Sequence, residues 1–293
     1  MPPGDFFLQI ARLTLAVHCA DERVAWQWDE PVSRFLTPPA AADLDLDVRL
    51  FDDAPPPRGE LLFDSQAVWR IHRDGDGYRI DCHSEMFGAQ PYKIATLDES
   101  FARGTIALRG DLLPLALNPL DYPLDEVLVA NLLARRGAGV ELHSCGIVDR
   151  EGRGHLFVGV SGAGKSTTAG LWEGEAAAVV SDDRVIVREE RGAMWMYGTP
   201  WHGEAALSLP DGVPLAGVYL LTQASAHALV ELPRAAAVAR LFGCTFPLFY
   251  DAPALDFTVS FLERICDAVP VRELRFARDR GAVELVRSAT RVR

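Results

Sequence analysis

Lysine is the scarcest charged residue of this chain: only Lys93 and Lys165 occur in 293 residues, against 27 arginines. The net charge of −12 and the lack of an obvious basic patch argue against a nucleic-acid partner, because phosphate backbones are held by clustered Lys and Arg. Cysteine is sparse too. Cys19, Cys82, Cys145, Cys244 and Cys266 are odd in number, widely scattered and form no C-x-x-C pair, so neither a disulfide framework nor a zinc site is indicated. No apolar run nears the ~18 residues needed to span a bilayer, and the first residues lack a basic stretch leading into an apolar core. The expectation is a cytoplasmic protein with no membrane partner. Internal repeats and low-complexity tracts are also lacking.

The composition, 49% hydrophobic and 24% charged, is that of a globular chain long enough for one large domain or two smaller ones. Residues 1–112 hold 19 acidic and 11 basic side chains, whereas 113–293 hold 22 and 18, so most of the negative excess lies in front. The first part reads as β-rich. Leu13, Leu15 and Val17 alternate, and Val68 to Arg73 and Tyr78 to His83 flank Asp74-Gly75-Asp76-Gly77, a hairpin turn. A helix follows with Leu124, Val127, Leu128, Asn131 and Leu132 on one face, then a strand from Val140 to Val148 and the polar turn Asp149 to Gly154. That turn is too short for a helical crossover, so the next strand must return antiparallel. Further on, the spacing predicts strands at Ala177 to Val180, Val185 to Val187, Met194 to Tyr197, Leu215 to Leu221 and Val271 to Phe276. Helices are expected over Pro233 to Phe242 and Phe257 to Ala268.

One of the two lysines stands in Gly159-Val160-Ser161-Gly162-Ala163-Gly164-Lys165-Ser166-Thr167, which contains the full G-x-x-x-x-G-K-[ST] pattern. In that pattern glycines let backbone amides approach phosphates, the lysine neutralises their charge, and the serine hydroxyl meets Mg²⁺. The surroundings suit it: His155 to Val160 is a short apolar run, and Lys165 to Trp172 can open a helix. A chain that uses arginine almost everywhere else but lysine here suggests a site that wants a compact ammonium. ATP and Mg²⁺ are the expected cofactors.

Asp182 and Asp183 close an apolar strand some sixteen residues after Ser166, where a magnesium-holding acid belongs. One would hold the metal, Asp182, and the other, Asp183, would accept a proton from an attacking hydroxyl. A turn-forming aspartate pair is the plain alternative. His143 lies on the hairpin whose return strand feeds the loop, so it can stand near a terminal phosphate, though a lone histidine is as often structural. Gly198-Thr199-Pro200-Trp201-His202-Gly203-Glu204 gathers an indole and two ionisable groups in one loop, which suits substrate binding or a rigid connector about equally. Arg275, alternating with Glu273 on the late strand, can offer a guanidinium to phosphate or simply face solvent.

With these residues assembled, the stretch from about Leu120 to Phe276 resembles the HPr kinase/phosphorylase family, whose nucleotide fold is shared with ATP-dependent phosphoenolpyruvate carboxykinases. The resemblance rests on Leu142-His143, on Gly159 to Thr168, and on Ser181-Asp182-Asp183-Arg184-Val185. It is similar in particular to HPr-kinase-like proteins of bacterial peptide biosynthesis clusters, some of which phosphorylate a serine of a lasso-type peptide. It implies a mixed, β-rich α/β fold with a P-loop catalytic domain over 113–293; the smaller β-rich domain over 1–112 lies outside the resemblance and is expected to contribute to acceptor binding. The resemblance also implies active-site roles for His143, Lys165, Asp182 and Asp183, and a peptide or protein hydroxyl as acceptor. The oligomeric state is left open, a homo-oligomer included. The long C-terminal signature that HPr kinases use for phosphorolysis is missing, so reverse chemistry is not expected. Two other readings stand beside this one. A nucleotide sensor would bind without transferring phosphate, and a carboxykinase-like lyase would need a second active-site lysine, for which Lys93 is the sole candidate.

Overall fold

The computed structural model describes residues 4–116, 118–203 and 206–290. It is a mixed, β-rich α/β structure of two compact units, one comprising Met1–Asp29, Leu36–Arg136 and Leu248–Ala252, the other Glu30–Phe35, Gly137–Pro247 and Pro253–Arg293. The division by compactness falls between Arg136 and Gly137, whereas the shift in sequence pattern lies near residue 112.

The first unit is built on strands β1 (Phe6–Ile10), β2 (Leu13–Cys19), β3 (Leu44–Phe51), β4 (Leu61–Asp64), β5 (Trp69–Asp74), β6 (Gly77–Cys82), β7 (Lys93–Leu97) and β8 (Arg103–Arg109). They form one sheet in the order β1-β2-β3-β8-β7-β6-β5-β4. β3 shows why one face turns inward: Leu44, Leu46 and Val48 are buried, while Asp45, Asp47 and Arg49 between them are exposed. The β5–β6 hairpin forms where the Asp-Gly turn predicts it. The short helix α1 (Glu30–Ser33) belongs to the second unit, and α2 (Leu124–Arg135) to the first. α2 buries Leu124, Val127, Leu128, Asn131 and Leu132, the face its spacing predicts.

Lys93 is wholly buried in this unit, and its Nζ donates to the carbonyls of Asn118 (3.2 Å), Pro119 (3.0 Å) and Asp121 (2.9 Å). A neutral amine carries only two N–H bonds, so three donated bonds require the ammonium. Burial pulls its pKa below the usual lysine value, with Cys82, Asp121 and Asp125 acting the other way.

The second unit contains β9 (Gly139–Asp149), β10 (Gly154–Val158), α3 (Lys165–Leu171), β11 (Ala176–Ser181), β12 (Arg184–Glu190), β13 (Ala193–Gly198), β14 (Gly212–Gln223), β15 (Ala228–Glu231), α4 (Arg234–Phe242), α5 (Ala252–Ala268), β16 (Val271–Phe276) and α6 (Gly281–Thr290). Its sheet runs β10-β9-β12-β13-β14-β16-β15, with β11 also on β9 and β10 also pairing β14 in parallel. Two strands change partners along their length. β9 pairs with β12 through Gly139 to His143 and with β10 through Ser144 to Val148, while β14 passes from β13 to β10 and β16.

Alternation along the strands feeds two cores. Val158, Val218 and Leu220 face α4 and α5, which present Ala237, Val238 and Leu241 and Phe261, Leu262 and Ile265. Phe157, Tyr219 and Leu221 face the other way, toward Ala169, Trp172 and Ala282, Val283 and Val286 of α6. Each fully buried Leu, Val or Phe contributes about 1.5–3 kcal/mol, which fixes strand register, because a one-residue slip would turn every such side chain to the wrong core. α5 begins at Ala252, ahead of the expected Phe257, and β15 and α6 are elements the sequence reading did not anticipate.

Candidate functional site

The register of β9 gathers the site. His143 pairs with Arg184 on one side, and the next residue, Ser144, pairs with Val158 on the other. The phosphate-loop pattern after Val158 and the aspartate pair before Arg184 therefore leave the sheet at the level of His143. The amide of Ser144 donates to Asp183 O (2.8 Å), that of His143 to Cys244 O (2.7 Å), and that of Gly159 to His143 O (3.4 Å).

Gly162 and Gly164 hold φ of +78° and +107°, the left-handed region that glycine enters without strain. At Gly164 a side chain is excluded as well, since its Cβ would lie 2.7 Å from Cζ of Phe276. The Ala163 amide closes a turn on Val160 O (3.0 Å), and Gln223 Nε2 donates to Gly162 O (2.8 Å) from the end of β14. Ser161 and Ser166 are exposed and Thr167 is half-buried, while the Lys165 side chain folds inward.

Lys165 Nζ lies 2.6 Å from His143 Nε2 and 3.2 Å from Gly159 O, and His143 Nδ1 lies 3.3 Å from Asp183 Oδ1. Polarity orders this chain. A carboxylate only accepts, so the imidazole proton sits on Nδ1 facing Asp183, and Nε2 accepts from Lys165. The electrostatics agree: burial, and then the adjacent ammonium, push His143 below the usual histidine range, keeping the ring neutral. Burial also lowers the pKa of Lys165, with Asp183 opposing the shift. On its far side Asp183 meets Arg184, whose Nε stands 3.8 Å from Oδ2 and whose guanidinium lies over the Phe246 ring at 5.0 Å.

Asp182 is 2% exposed and its Oδ1 accepts from the Gly203 amide at 2.9 Å, so the loop with Trp201 and His202 meets the aspartate pair through its backbone. Trp201 and His202 are half-buried, and His202 Nδ1 lies 2.9 Å from Gly203 O. Glu204, expected in the same loop, falls outside the described residues. Arg275 stands two strands from β10 at the end of β16, 52% exposed, donating to Glu273 Oε2 (2.9 Å). The same carboxylate takes Arg240 from α4 (3.0 Å) and Thr222 (2.8 Å). No local signal in the sequence marks Arg240, Thr222, Gln223 or Gly203 for these contacts; Arg184, beside the aspartates, carries one.

The donors suited to a divalent cation are oxygens, the exposed Ser166 hydroxyl and the Asp182 carboxylate. Among the described residues no three His, Cys, Asp or Glu side chains converge to hold a metal by themselves. Mg²⁺ commonly takes one or two carboxylates and completes its shell with phosphate oxygens and water, so this sparse, hard donor set fits it. No helix among the described residues is long and apolar enough to cross a membrane.

No protein-family model matches the chain, and no curated protein matches it. Among solved structures it is similar to the Hpr(Ser) kinase/phosphatase from Coxiella burnetii, with 12% identity over 52% of this chain and 88% of that one and a TM-score of 0.29. A similarity this loose transfers no residue role.

Proposed function

We propose that this chain is a Mg-ATP-dependent kinase that transfers the γ-phosphate to a Ser or Thr hydroxyl of a peptide or protein, a ribosomally made peptide among the candidates. The observation that carries this reading is the series Lys165, His143, Asp183, with Lys165 hydrogen-bonded to His143 and His143 within 3.3 Å of the Asp183 carboxylate, beside a complete phosphate-loop pattern. An ammonium at a phosphate loop and a positioned carboxylate base are groups that phosphoryl transfer uses.

On nucleotide binding, Lys165 exchanges its contacts with His143 and Gly159 for phosphate oxygens. Ser166 and Asp182 would hold Mg²⁺, which offsets charge on the phosphates when bound. Asp183, steadied by His143 Nδ1–H and Arg184, accepts the proton of the acceptor hydroxyl as its oxygen bonds to the γ-phosphorus. The bond to the bridging oxygen breaks and ADP leaves with that electron pair. The carboxykinase-like alternative lacks a reagent: Lys93 is wholly buried with its three N–H bonds engaged. Residues 1–112 are assigned to acceptor recognition.

The test is phosphate transfer from labelled ATP to peptides encoded beside the gene, in the native chain and in Asp183→Asn. The variant should bind ATP as before and lose transfer by about 10²-fold or more, the usual weight of a general base. Undiminished transfer refutes the role of Asp183; nucleotide binding without transfer by the native chain favours a sensor.

A further inference from the structure

Residues 198–203 and 206–209 hold the aspartate-bearing turn from two sides. On one limb, Thr199 Oγ1 donates to Arg184 O (2.9 Å) and also lies 3.1 Å from Trp201 O. On the other, Ser208 forms a bridge with Ser181, Leu209 N donates to Val180 O (2.9 Å) and Asp182 N to Leu207 O (3.3 Å). Ser208 Oγ ties the limbs together by donating to Thr199 O (2.5 Å). Gly203 then reaches the Asp182 carboxylate: its amide is 2.9 Å from Oδ1, and a Cβ at that position would lie 2.9 Å from Oδ2 and 3.3 Å from Cγ. Side-chain carbons essentially never come that close, so only glycine permits the approach.

We infer that Gly203 is a positioning residue that sets the plane of the Asp182 carboxylate for a divalent cation, and that the Ser208–Thr199 tie holds Gly203 in place. The inference rests on the reading of Asp182 as the metal-holding acid. The physical reason is that Asp182 is almost wholly buried at the end of a strand, where an amide aimed at one oxygen fixes rotation of the carboxylate. Ligand carboxylates are commonly oriented by such hydrogen bonds, and their loss typically costs 10–100-fold in metal affinity. The Trp201–His202–Gly203 stretch is then a brace for the aspartate pair, whatever else its side chains touch.

The experiment uses Mn²⁺ as a spectroscopic probe, titrated by electron paramagnetic resonance into the full chain with ATP present. Native protein, Asp182→Asn, Gly203→Ala and Ser208→Ala are compared, with metal-free ATP affinity and thermal melting recorded for each. Gly203→Ala should weaken Mn²⁺ binding about tenfold or more and Ser208→Ala by a smaller factor, both leaving metal-free ATP affinity unchanged. A merely structural defect would lower both affinities together. Loss of Mn²⁺ affinity in Asp182→Asn but native affinity in Gly203→Ala overturns the inference alone. Native affinity in Asp182→Asn overturns the metal reading and this inference with it. If Gly203→Ala does not fold, Ser208→Ala decides, since it lies away from the carboxylate and removes one hydroxyl.

Discussion

Replacing Lys93 by Met should cost the first unit about 2–3 kcal/mol, although the two side chains are similar in length and Lys93 itself is wholly buried. The change removes three donors from the carbonyls of Asn118, Pro119 and Asp121, which accept at 2.9–3.2 Å, the Pro119 bond buried and the other two part-buried. A buried acceptor left without a partner costs about 1–3 kcal/mol and a part-buried one, which water can reach, costs less, so the three together bound the loss at roughly 2–5 kcal/mol. Against that stands the desolvation of the ammonium, which methionine does not suffer and which the lowered pKa of Lys93 records. Since the variant leaves neutral carbonyls and no buried charge, relief of that desolvation offsets part of the loss, and we expect a net cost of about 2–3 kcal/mol. For a unit of this size, that corresponds to a drop of roughly 10 °C in the melting of the first unit. Circular dichroism melts of the native chain and of Lys93→Met, with Lys93→Arg as a bulkier cation, measure it. A Met variant melting within about 2 °C of the native chain would show that the carbonyl cage does not need the ammonium.

Two further outcomes follow from burial. His83, His143 and His155 all titrate below the usual histidine value because burial disfavours the charged ring. The unfolded chain therefore binds more protons in the window below about pH 6.5, so stability should fall as pH drops through it. His143→Gln should flatten part of that fall in urea-midpoint measurements between pH 7.5 and 5, and an unchanged slope would contradict the depressed value. Burial raises the thiol pKa of all five cysteines, Cys82 to about 12, but Cys266 alone is half-buried and reachable while the other four are buried. Native-state thiol titration at pH 8 should modify Cys266 first and spare the other four until denaturant is added, and labelling of Cys82 in the native chain would refute it.

The elements legible in advance were those whose signal is local. The turn at Asp74 to Gly77, the hairpin from β9 to β10, the strand β16 and the buried face of α2 all follow from periodicities of two or 3.6 residues and from turn chemistry. β15 is only four residues, half-buried, and takes its identity from pairing with β16, so its own pattern says little. The first turn of α5 opens with Ala-Pro-Ala, where no apolar spacing marks the start.

By itself, the sequence determined that Lys165 sits in a phosphate-loop pattern, and that Asp182 and Asp183 end a strand downstream, because both are short-range arrangements of residue types. Tertiary structure decided what those residues meet. The exchange of partners along β9 brings His143 between Lys165 and Asp183, a relation among positions up to forty residues apart that no window of sequence encodes. It also decided that the loop after β13 presents a backbone amide to Asp182, and that the second lysine of a lysine-poor chain is spent on three carbonyls. Local propensity chooses elements, whereas burial of two opposed cores chooses their register, and register is what assembles a site.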